Sequence, residues 1–169
     1  MRTMQKYTIN HFMKKHFDIK GSIILGMHDA IVSLTGLIAG LAFAFTDKNI
    51  TILSCIISSI TASLSMGAAN YLAVKTINKK HAIHAAIYTG ISYMATCAML
   101  ILPLIIFYNR FIALSSVFIL VILIIYLFNF IFYRKNQFAR HFYEMLTICL
   151  GVSLVAFVIG EAAKYYLGI

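Results

Sequence analysis

Apolar residues run through the chain in long stretches separated by short polar breaks. Stretches over 21–45, 50–74, 82–107, 111–132 and 144–167 each reach the roughly 20 residues that a helix needs to cross the hydrocarbon core of a bilayer. The breaks at 46–49, 75–81, 108–110 and 133–143 are polar and carry charges. This pattern predicts an all-α polytopic membrane protein with five transmembrane helices. Residues 8–20 differ in character. Ile9, Phe12, Met13, His16 and Phe17 recur at helical spacing, with Lys14, Lys15 and Lys20 elsewhere on the wheel. A basic amphipathic helix of this kind lies in the membrane interface; a basic tail without fixed structure is the alternative. The expected organisation is a basic amphipathic segment over 1–20 and one transmembrane domain over 21–169.

Composition supports lipid as the solvent. The 169 residues are 62% hydrophobic and 11% charged, with mean hydropathy +0.90, whereas a soluble domain is about 45–50% apolar and about 25% charged. A net charge of +9 would suit nucleic acid, but the cations sit between apolar runs, where orientation signals belong, so no nucleic-acid partner is expected. Arg2, Lys6, Lys14, Lys15 and Lys20 precede the first helix; Lys75, Lys79 and Lys80 follow the second; Arg134, Lys135 and Arg140 follow the fourth. The other side holds Lys48, Arg110 and Lys164. The positive-inside rule then puts the N-terminus in the cytoplasm and the C-terminus outside. The apolar run after the basic N-terminus exceeds a signal-peptide h-region of about 7–15 residues, and no small-residue cleavage site follows, so the first helix is expected to remain. Cys55, Cys97 and Cys149 lie far apart inside apolar runs and read as small hydrophobes, not as a disulfide framework or a zinc site. No nucleophile–base pair or phosphate-binding loop is present, which argues against an enzyme.

An ionisable group inside a membrane costs about 2.5–3.5 kcal/mol on insertion scales and is a functional candidate by default. Asp18 and Asp47 fall in breaks, and Glu144 stands at a helix start, leaving Asp29 and Glu161. Asp29 is the deep one, about 12 Å past the cytoplasmic start of its helix at 1.5 Å per residue. Met66 of the second helix lies about 13 Å from its own cytoplasmic end, and Asn70 follows one turn below on the same face. Ser54, Ser58, Ala62, Met66 and Asn70 form one i, i+4 row; Ser59, Ser63 and Gly67 form the adjacent one. Gly36 and Gly40 of the first helix and Gly67 of the second are candidate packing positions, since small residues let membrane helices approach closely. The fourth helix, bulky and almost free of polar groups, is expected to face lipid. A carboxylate with a thioether and an amide disfavours Mg²⁺ and Ca²⁺ and suits Fe²⁺ or Mn²⁺. Taken singly, Met66 reads as packing before ligand, and a structural carboxylate bonded to helix neighbours is the alternative for Asp29.

The stretch GMHDAIVSLTGLIAG over 26–40 resembles the first-helix signature of the vacuolar iron transporter family, and SMGAANYLA over 65–73 resembles its second-helix signature, Ser-Met-Ala-x-Gly-Glu-Tyr-Leu-Ser. Leu102, Pro103 and Leu104, with Gly151 and Gly160, are weaker echoes. The resemblance implies a five-helix homodimer that exports cytosolic Fe²⁺ or Mn²⁺ in exchange for protons, along a pathway lined by the first two helices. The metal would be cargo, not a resident cofactor. The resemblance maps the family's Asp onto Asp29 and its Met onto Met66. The family's Glu is Asn70 here, which cannot titrate; two family glycines are Ala30 and Ala69. The Glu-rich domain of the long members is replaced by a short basic loop, as in the nodulin-like form. His28 beside Asp29 is a further candidate ligand, though about 100° of rotation separates adjacent residues. His11, His16, His28, His81, His84 and His141 all map to the cytoplasmic half. His81 and His84 read either as a metal-collecting funnel or as interfacial residues. The expected function is thus export of a divalent transition metal. A scaffold or subunit that has lost transport, and a carrier of another small cation, are the alternatives. Composition points to a bacterial inner membrane.

Overall fold

The computed structural model describes residues 19–45, 47–132 and 135–167. Five helices make up nearly all of them: α1 (Ile19–Ala44), α2 (Lys48–Ile77), α3 (Ala82–Ile106), α4 (Arg110–Phe132) and α5 (Lys135–Leu167). No strand occurs among the described residues. All five helices are long and apolar enough to cross a membrane, so the chain is an integral multi-pass membrane protein. The amphipathic segment expected over 8–20, with His11 and His16, lies outside the described residues up to 18; Ile19 and Lys20 belong to α1.

Four of the five helices match the apolar runs closely; α5 starts nine residues earlier than its run, at Lys135 rather than 144. Its 33 residues span about 50 Å at 1.5 Å per residue, well beyond a hydrocarbon core of about 30 Å. The expected break at 133–143 is therefore helical from 135. A helix satisfies its backbone internally and need not stop where lipid does.

Successive helices run antiparallel, and side chains tie the turns at one end. Lys48 Nζ donates to the carbonyl of Phe107 at 2.6 Å, Arg110 to that of Phe45 at 2.8 Å, and Lys164 Nζ to that of Phe43 at 3.5 Å. Cations here satisfy the carbonyls at the C-terminal ends of α1 and α3 and oppose their dipoles. Asp47 caps α2 by accepting from the amide of Asn49 at 2.8 Å. Lys20, Lys75, Lys79, Lys80 and Arg140 gather at the other end, called the basic end below.

α1 packs against each of the other four helices, most extensively α3 and α5, while α2 packs mainly on α3. Without a hydrophobic drive between helices in lipid, close approach of small residues holds the bundle. Gly36 and Gly40 lie against Val152 and Ala156 of α5, and Gly67 lies against the Ala86 carbonyl of α3. Gly26 meets α3 closest of all, at the Thr89 carbonyl and the Ser92 hydroxyl. The three cysteines are buried and form no disulfide.

α4 departs from the lipid-facing expectation. Ala113, Val117, Val121, Ile125 and Phe128 bury one side of it, while Phe111, Ile119, Phe130 and Ile131 stay exposed. Asn129, fully buried on that inner side, donates to the Ile125 carbonyl at 2.8 Å. A helix apolar all round gives no sign of which face turns inward.

Candidate metal site

Asp29 stands on α1 between His28 and Ala30 and opens into a cleft of about 330 Å³. Leu25, His28, Asp29 and Val32 of α1 form its floor; Met66 of α2 and Met145 and Ile148 of α5 form its walls. Helix periodicity explains the floor, since 25, 28, 29 and 32 fall on one side of a helix with 3.6 residues per turn. The 100° between His28 and Asp29 does not part them, because the cleft is as wide as that face. Of the row from Ser54 to Asn70, every member is half-buried, and Met66 alone among them lines the cleft.

Asp29 is exposed on the side of the bundle, and among the described residues no hydrogen bond or ion pair holds its carboxylate. Its backbone is held instead. Ser33 Oγ donates to the Asp29 carbonyl at 2.6 Å, and the Tyr93 hydroxyl lies 2.7 Å from Ser33 Oγ. Ser33 has one hydroxyl hydrogen, already committed, so Tyr93 is the donor of that pair. Tyr93 is buried on α3 and thereby pins the turn of α1 that carries Asp29. His28 packs edge-on against Phe128, ring centroids 4.8 Å apart, and its buried Nε2 has no hydrogen-bond partner among the described residues.

The donors around the cleft are therefore one carboxylate, one imidazole and two thioethers. Met145 was invisible to sequence reasoning: it sits on the last helix, and no spacing relates it to Met66. Such a set leans toward a transition metal, with oxygen for charge and nitrogen and sulfur for softness. Among the described residues no group of three or more His, Cys, Asp or Glu could hold a metal. The described residues of the chain thus present part of a coordination shell.

Asn70 does not line the cleft. Its amide Nδ2 donates toward Thr89 Oγ1 at 2.6 Å, Ser22 Oγ at 3.2 Å and the Ala85 carbonyl at 3.4 Å. Thr89 Oγ1 in turn donates to the Ser22 carbonyl at 3.0 Å. This knot joins α1, α2 and α3, and an amide fits it because every neighbour of Nδ2 is an acceptor. An ionised carboxylate there has nothing to donate. In Asn70→Asp the knot should hold while the acid is protonated and fail once it ionises. Its stability contribution is then complete at low pH and lost as pH rises through the folded-state pKa. Thermal unfolding across pH should show a loss of about 1–3 kcal/mol at the alkaline end relative to wild type at the same pH. His81 and His84 stand apart from the cleft, at the start of α3, with ring centroids 6.4 Å apart.

Comparison with known proteins gives a family for the segment that holds Asp29, Met66 and Asn70. Residues 21–79 match the profile of the VIT family. No curated protein matches the chain.

Proposed function

We propose that this chain, a vacuolar iron transporter (VIT) family member through residues 21–79, exports Fe²⁺ or Mn²⁺ from the cytosol through the cleft beside α1. The family match over residues 21–79 supports a membrane metal transporter; the cargo and the direction are this proposal's own. The observation that carries it is the meeting of Asp29, His28 and Met66 in one cleft on helices otherwise built for lipid. Asp29 would supply the charge, His28 and Met66 the softer donors, with Met145 within reach of the same ion. The basic end, by the positive-inside rule, faces the cytoplasm, which suits a bacterial inner membrane.

A second copy of the chain completes the site in this reading. An exposed carboxylate facing hydrocarbon is costly, and covering that face with another protomer removes the exposure. Two Asp29 carboxylates would then neutralise one divalent ion. Proton exchange, if the transporter couples to protons, falls to Asp29, because Asn70 has no titrating group.

The test is uptake by proteoliposomes holding the full chain. Mn²⁺ and Fe²⁺ should enter faster than into empty vesicles, compete with each other and with Co²⁺, and respond to an imposed pH gradient. A folded protein that moves no metal would favour a scaffold role. Uptake of a monovalent cation without competition from these metals would change the cargo.

A further inference from the structure

The stripe of α5 that walls the cleft continues toward the basic end. Met145 and Ile148 line the cleft, and His141 stands one turn before Met145 on the same face, at i−4 and i−7 from the two. Glu144 occupies the same side, its Oε2 lying 3.3 Å from His141 Nδ1. Arg140 holds the other carboxylate oxygen, Nε to Oε1, at 2.9 Å. His28 lines the same cleft beside Asp29, across from Met145. His141 and Glu144 therefore lie on the basic-end side of Met145, which shares its cleft with His28, Asp29 and Met66.

We infer that His141 and Glu144 form an access site for the divalent cargo, a weak chelate at the basic mouth of the Asp29 cleft. The inference rests on the metal-transport reading above. An ion about 2.0–2.2 Å from an imidazole nitrogen and a carboxylate oxygen holds those atoms about 3.0–3.4 Å apart in octahedral or tetrahedral geometry, and the pair stands at 3.3 Å. His141 and Glu144, three residues apart, lie on one side of α5 where one ion can reach both. Both side chains remain partly exposed, 36% for His141 and 48% for Glu144, so water fills the rest of the shell and affinity stays low. Low affinity is what an access site requires, since the ion must pass on to His28 and Asp29. Arg140 competes with the metal for Glu144.

That competition separates the chelate from an ordinary surface ion pair. His141→Ala with Glu144→Gln should raise the KM for Mn²⁺ about tenfold, with the change concentrated in KM. Arg140→Gln should lower KM about two- to fivefold, the range of an exposed ion pair; that gain should vanish in the His141→Ala, Glu144→Gln background, where a purely electrostatic effect of losing the cation would persist. Binding is read separately, by electron paramagnetic resonance of Mn²⁺ added to purified protein carrying Asp29→Asn. A weak bound population should persist there and vanish when His141→Ala and Glu144→Gln are added. Normal uptake with unchanged KM and binding in those variants would overturn the access site and leave the transport reading intact. A wild type that moves no metal, with the weak population still lost in the variants, would overturn transport and keep the site. Absence of any Mn²⁺ population in the Asp29→Asn background would overturn the access site.

Discussion

Asp29→Asn is expected to abolish metal uptake while leaving the protein as stable as the wild type, or more so. The change removes one negative charge and almost no volume. Loss of a partner one shell removed from a metal typically costs 10–100-fold in affinity or activity, so loss of the charged ligand should cost roughly 100-fold or more. Stability should move the other way. The carboxylate stands exposed on the side of the bundle, and an intramembrane charge costs about 2.5–3.5 kcal/mol on insertion scales. The hydrogen bond at this turn uses the Asp29 carbonyl, not its side chain, so Asn keeps it. A structural carboxylate would behave oppositely, with transport surviving in whatever protein still folds. Uptake in proteoliposomes and thermal unfolding in detergent, measured on the same preparation, separate the two. Normal transport by Asp29→Asn would remove Asp29 from the pathway.

How much of this was legible in the chain depends on what each feature needs. The number of helices follows from apolar runs alone, because a membrane demands about 20 such residues for each crossing. The start of α5 did not follow, since hydropathy locates the bilayer and not the helix, and 135–143 stay helical while polar. The pairing of Asp29 with Met66 was readable from depth along two antiparallel helices. Asn70 shares a row with Met66, yet its partners Ser22 and Thr89 come from two other helices. A wheel states which residues share a face, not which neighbour that face meets. For the same reason Met145 and the inward Asn129 gave no signal: their roles arise from packing among helices far apart in sequence. Gly36 and Gly40 were visible as close-packing positions, but not their partner, α5.

Substitution of Gly26 should be the most damaging change to the fold. A Cβ at this position would overlap the Thr89 carbonyl and the Ser92 hydroxyl of α3. Ser92 can rotate away, although it would give up its 3.0 Å bond to that same carbonyl. The Thr89 carbonyl is backbone in mid-helix and can yield only if α1 and α3 move apart. Overpacking typically costs 1–3 kcal/mol, so Gly26→Ala should lose about that much and Gly26→Val more, to the point of failing to accumulate as folded protein. Separation would also stretch the adjoining knot of Asn70, Thr89 and Ser22, and shift Asp29, one turn along α1. Gly151 provides the contrast, because a Cβ there meets nothing within 4 Å. Gly151→Ala should gain up to about 1 kcal/mol from helix propensity. Thermal unfolding of the purified variants reads both signs. Equal effects at the two glycines would mean that backbone entropy, not the approach of α1 to α3, governs them, and the close contact at Gly26 would lose its place as the joint that sets the Asp29 helix.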